Sequence, residues 1–186
     1  MTNLKLNKFE TKLIVAFLTV GILSRTLFHF GENVEIVTAI SIAAGYFFTN
    51  KRFSWIVPFL IISITDILIG NTMIFLYTWR AFLVPPMFGM IAQKVSLGRK
   101  TSSKILTLQF VGILSTLFLY LWTNFGVVLT TDMYAKTFEG LVQSYINALP
   151  FLRPQLTGTI IFIPIVFLGV FALKKFNVHP AEKRQY

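Results

Sequence analysis

The sequence predicts an all-α fold: a polytopic membrane bundle of about six transmembrane helices. Three observations carry this. Charged residues are 13% of the 186-residue chain, about half the share in a soluble domain, so most side chains must face an apolar medium. Apolar residues reach 55%, with twenty phenylalanines, and the mean hydropathy is +0.71. Lysine and arginine gather in short turns between apolar runs, which is the pattern of membrane topology signals. The net charge of +10 therefore gives no reason to expect a nucleic-acid partner; the partner is the lipid bilayer.

A spanning helix needs about 20 mainly apolar residues, and six segments approach this. The first, about 12–29, lacks a small-x-small cleavage site and leads into further apolar runs, so it reads as a span and not as a signal peptide. The second, about 34–49, is short. It carries Ala39-x-x-x-Ala43 and Ser41-x-x-x-Gly45, a spacing that lets another helix approach closely, either inside the bundle or as a docking face for a partner. The third covers about 53–70. The fourth, about 72–93, contains Pro85–Pro86, which removes two backbone donors and should kink or break it. The fifth and sixth cover about 105–123 and 156–173, and a polar tail spans 174–186. One domain is expected.

Between the last two spans, Phe138, Leu141, Val142, Tyr145, Ile146 and Leu149 recur at helical spacing with polar residues between them. They predict an amphipathic helix over about 137–149, ended by Pro150 and lying on the outer surface or capping the bundle. With the N-terminus inside, only Arg25, Arg80, Lys136 and Arg153 of the seventeen basic residues fall away from the inner side. The positive-inside rule then gives an N-in, C-in topology.

The charges inside the spans are the informative ones. Arg25 lies thirteen residues beyond Lys12, Asp66 fourteen beyond Arg52, and Arg80 fourteen before Lys94 on a helix running the other way. At about 1.5 Å per residue, all three sit roughly 20 Å above the inner boundary, with Glu35 slightly higher. A lone charge at mid-helix costs about 2.5–3.5 kcal/mol on insertion scales, so such residues pair or line a wet cavity. Asp66 with Arg25 or Arg80 is the natural pair, leaving an arginine for Glu35 or a ligand anion. Two plainer roles compete: arginines snorkelling to the headgroups, and Asp66 joining two helices or shaping the turn at Gly70–Asn71. Aromatics lie at the same level, including Phe28, Phe30, Tyr77, Trp79, Trp122 and Phe125. They fit an interfacial belt or a cage that stacks a flat ligand.

Several chemistries are excluded. The chain has no cysteine and two histidines, His29 and His179, so thiolate metal sites and bis-histidine haem have no ligands. Neither a metal nor a cofactor is expected. There is no G-x-x-x-x-G-K-[ST], H-E-x-x-H or G-x-S-x-G, and no enzyme activity is expected.

The stretch Thr123-Asn124-Phe125-Gly126, then Met133-Tyr134, Gly140-Leu141, Tyr145 and Ala148-Leu149-Pro150-Phe151, resembles a family of uncharacterised bacterial membrane proteins. That family is similar to the substrate-binding S components of energy-coupling-factor (ECF) transporters. Arg25, His29 and Asp66 with Gly70 fit the same resemblance. It implies a six-helix bundle that captures a micronutrient from outside and docks on a transmembrane coupling protein with two ATPases. S components usually dock through small residues on the first helix; here the best such spacing is on the second. The expected function is solute binding for transport. Arg25, Asp66 and Arg80 would form the polar core of the site, Asn124, Tyr145 and Asn147 would be outer contacts, and His29 could contribute from the first outer loop. The alternative is a small accessory subunit of a larger membrane complex, with the charge layer as internal glue.

Overall fold

The computed structural model describes residues 7–28, 33–70 and 74–182, with 176–182 as backbone alone. His29 and the side chain of His179 lie outside the described residues, as do Phe30 and Asn71. The described residues form helices α1 (Lys8–Thr26), α2 (Val37–Phe47), α3 (Lys51–Ile69), α4 (Phe75–Ala81), α5 (Val84–Val95), α6 (Thr101–Thr130) and α7 (Phe138–Glu182), and no strand is present among them.

Three of these helices, Lys51–Ile69, Thr101–Thr130 and Phe138–Lys175, are long and apolar enough to cross a membrane. The sequence led us to expect six. The physical reasons for the difference are local. Helix α1 carries Lys8, Glu10, Lys12 and Arg25 in one stretch. Helix α2 has eleven residues, about 16 Å of rise, and is buried on every side from Val37 to Tyr46. The expected fourth span is two helices that break at Phe82–Leu83. Pro85 and Pro86 sit in the first turn of α5, where a missing N–H costs nothing.

Helix α2 is the centre of the bundle, packed mainly on α5 and α3. Its backbone touches that of α5 directly. A Cβ added to Gly45 would fall 2.0 Å from the Pro86 carbonyl oxygen, and one added to Gly89 would fall 2.1 Å from that of Ile42. The small residues Ala39, Ser41, Ala43 and Gly45 are all buried. Of the two roles open to that stripe, the structure assigns it internal packing. The C-terminal end of α2 is tied down by charge: the Lys51 ammonium donates to the Gly45 and Phe48 carbonyls at 3.1 and 2.8 Å. A cation there complements the helix C-terminus. Buried Glu10 takes part in a capping box with Asn7 and accepts from the Thr49 amide.

The outer connection differs most from expectation. Helix α6 runs to Thr130 and α7 begins at Phe138, continuing unbroken through Pro150, Pro154 and Pro164. The amphipathic helix is thus the first part of α7 and Pro150 does not end it. Prolines are tolerated in such helices when neighbours satisfy the freed carbonyls. Pro164 cannot donate to the Ile160 carbonyl four residues back, and the Gln109 side chain of α6 does so instead at 2.7 Å. Near Pro150, the Tyr120 hydroxyl donates to the Tyr145 carbonyl. The packed face of this outer segment is the small-residue row Gly140, Ser144 and Ala148, all buried, whereas Phe138, Val142, Ile146 and Leu149 are exposed.

Candidate functional site

The site is assembled where α1, α2, α3 and α4 meet at one end of the bundle. Arg25 lies in the last turn of α1, and Glu35 lies two residues before α2. Asp66 lies in the last turn of α3, which closes on Gly70 in the left-handed conformation at φ 73°. Arg25 Nη2 donates to Asp66 Oδ1 at 2.8 Å and Nη1 to Glu35 Oε2 at 3.1 Å. The second Asp66 oxygen accepts the Trp79 indole N–H at 2.9 Å. The Asp66 side chain is 2% exposed, Arg25 14% and Glu35 26%. The aspartate is therefore the sealed end of the cluster and the glutamate the open end. A buried carboxylate that accepts a guanidinium and an indole offsets its desolvation with charge-assisted bonds.

Arg80 is not part of this cluster. It is exposed on α4, and no ion pair involving it occurs among the described residues. The rise arithmetic placed it at the right depth, but depth does not fix azimuth. Its neighbour Trp79, about 100° around the helix, is the residue that faces Asp66. Glu35 replaces Arg80 as the third charge.

A cavity of about 230 Å³ opens beside the cluster. Arg25 and Glu35 form its charged wall, and Asp66 is behind them. Hydroxyls from three helices complete it: Thr38 on α2, Thr78 on α4, and Thr116 with Thr123 on α6, joined by the Gln155 amide of α7. Thr116 also exchanges a 2.7 Å hydrogen bond with Thr159. Two buried polar atoms here have no partner, Arg25 Nε and Gln155 Oε1. A second cavity of about 280 Å³ shares Asn33, Ile74, Thr123 and Gln155 with the first, so the two adjoin. Asn124, Tyr134 and Asn147 line the second cavity.

Asn124 and Asn147, expected as ligand contacts, both line the second cavity. Tyr145 does not line either cavity; its hydroxyl donates to the Leu121 carbonyl at 3.3 Å and its ring tilts against Tyr120. It fastens α7 to α6. Among the described residues, the aromatics form no closed cage around the cavity. Tyr77, Trp122 and Phe125 contact one another, with Tyr77 lying over Gly126, and Trp79 packs between Phe59 and Phe75. The threonine wall escaped sequence reading because each hydroxyl comes singly. The one signal was the seven-residue spacing of Thr116 and Thr123, which puts both on one face of α6. No group of three or more metal-ligating side chains occurs among the described residues.

One family, described as a family of unknown function (DUF6580), matches residues 5–181. The chain belongs to DUF6580. The match spans the whole helical body, from the capping box of α1 to the inner end of α7, and by itself carries no link to the ECF S components. No curated protein and no solved structure matches this DUF6580 chain.

Proposed function

We propose that this DUF6580 protein is a solute-binding membrane subunit that captures a small polar molecule from the outer side of a bacterial cytoplasmic membrane. One observation carries the reading: the Arg25–Glu35 pair forms the charged wall of a threonine-lined cavity that adjoins a second polar cavity. Pockets that hold small molecules are commonly about 300–1,000 Å³ with a few convergent polar groups, and the two cavities together fall in that range. A bundle whose charges served only to join helices would fill this space with apolar side chains.

The topology belongs to the same proposal. With α2 and the broken α4–α5 pair counted as traversals inside the bundle, the chain crosses six times, N-in and C-in. The cavity then opens outward, opposite the basic turns. Binding, not catalysis, is the task assigned to the site. Hand-over across the membrane to a coupling protein with ATPases, as in S components, would need a docking face other than Ala39 to Gly45, which is buried inside the bundle.

The test is a thermal-shift and native mass spectrometry screen of the purified protein against vitamins, their precursors and other small polar metabolites. A specific ligand stabilises the fold by mass action. Thr123 lines both cavities, so Thr123→Phe should abolish the shift while the protein stays folded. Binding that survives this plug would place the ligand elsewhere.

A further inference from the structure

The class of solute can be narrowed, on the footing of the proposed binding site. Among the described residues, Arg25 and Glu35 are the only Asp, Glu, Lys or Arg side chains on the walls of the two cavities. The positive charge of Arg25 is already divided between two carboxylates. Burial pushes the Glu35 carboxyl up and the Arg25 guanidinium beside it draws it back down; with both carboxylates ionised, one guanidinium against Asp66 and Glu35 leaves the cluster one negative charge in excess. The surplus sits on Glu35, the more exposed partner, two residues ahead of α2, where the helix N-terminus favours an anion.

The hydrogen-bonding capacity left over has the same sense. Glu35 Oε2 is used by Arg25, and no hydrogen bond to Glu35 Oε1 occurs among the described residues. Gln155 Oε1 is buried without a partner. Both are acceptors. Arg25 Nε is a buried donor left without a partner on the same wall. The Thr78 and Thr123 hydroxyls already donate to the Ile74 and Leu119 carbonyls of their own helices, so toward the cavity they offer lone pairs. An anionic solute would meet a guanidinium whose two terminal nitrogens are taken, next to a carboxylate. An ammonium group brings three donors and no acceptor, which matches the orphaned oxygens.

We propose that the cavity takes a small organic monocation of the amino-alcohol class. Its ammonium group is held by Glu35 and Gln155, and its hydroxyl lies against Arg25 and the threonines.

Three probes of one length separate the charge classes: 4-amino-1-butanol, which is a cation at neutral pH, the neutral 1,4-butanediol, and the anion 4-hydroxybutyrate. Each is titrated at millimolar concentration into the purified full-length protein, with thermal stability as readout. The cation should raise Tm, and the diol and the anion should not. A hydrogen bond to a charged group supports roughly a tenfold or larger effect, so Glu35→Gln should raise the concentration needed for the shift by about that factor. Gln155→Glu, which adds an acceptor charge to the same wall, should lower it, and this second variant decides the matter if Glu35→Gln does not fold. Equal shifts from the diol or the anion, or a cation response unchanged in both variants, would overturn the cation class and leave the solute site standing. No response to any of the three probes, together with no hit in the metabolite screen, would remove the site itself.

Discussion

Arg25 Nη2 lies 2.8 Å from Asp66 Oδ1, joining the end of the first helix to the end of the third across 41 residues of chain. The aspartate is almost fully sealed, and the Trp79 indole holds its other oxygen. Removing Asp66 takes the acceptor away from Arg25 Nη2 and from the Trp79 indole, and hydrogen bonds to a charged group contribute about 1.5–3 kcal/mol each. Asp66→Ala should therefore lower the melting temperature in detergent sharply. Arg80→Ala, at an exposed position, should change stability by less than about 0.5 kcal/mol. Equal losses from the two variants would contradict the assignment of Arg25 as the partner.

The α2–α5 contact makes its own prediction. The neighbour of Gly89 is the Ile42 carbonyl oxygen, with no flexible side chain between. Gly89→Ala must therefore push two backbones apart, at a cost of about 1–3 kcal/mol or more. Gly169 has nothing within 4 Å of an added Cβ, so Gly169→Ala should be neutral or slightly stabilising. Chemical denaturation of the two variants side by side tests this.

A double-mutant cycle tests the role of Gln109. Its amide donates to the Ile160 carbonyl, which Pro164 cannot serve. Gln109→Leu should cost about 1–3 kcal/mol, because a carbonyl facing lipid has no water to replace the lost donor. In a Pro164→Ala background the new backbone N–H can take the Ile160 carbonyl, and the same substitution should then cost clearly less. Additive effects would mean that the glutamine does not compensate for the proline.

These residues show what the sequence could and could not reveal. The level of Arg25 and Asp66 was legible because α1 and α3 are uninterrupted helices of nineteen residues, so a fixed rise converts sequence separation to height. The same arithmetic could not give the side on which Arg80 lies. The helix it assumed breaks at Phe82–Leu83, and rise says nothing about which side faces inward. The outer segment was legible as a helix from its period but not in its packing. Its contact face is the modest row Gly140, Ser144 and Ala148, while the larger apolar side chains stay exposed. Small residues allow close approach between helices, whereas hydrophobicity alone does not say whether a face meets lipid or protein. Pro150 read as a stop because its freed carbonyl is costly unless a neighbour or water supplies a donor, and the tertiary partners of this segment cannot be seen in a local window.

The absence of native cysteine makes the topology directly measurable. Single cysteines at Asp132, in the turn between α6 and α7, and at Ser102, at the start of α6, should label from opposite sides of the membrane. A membrane-impermeant maleimide should modify Asp132→Cys in intact cells and Ser102→Cys only after permeabilisation. Modification of both from outside would contradict the six-crossing arrangement.

The most direct test of the central claim, a wet cavity behind Arg25 and Glu35 that opens to the outer face, uses Thr78→Cys on the cavity wall. In right-side-out vesicles, a membrane-impermeant methanethiosulfonate should modify it readily, and a Thr123→Phe plug should slow the reaction at least about tenfold. Ile61→Cys, at a fully buried position, sets the background rate. Modification of Thr78→Cys no faster than that background would mean that the cavity is closed to the outside, and the binding site proposed for it would fall.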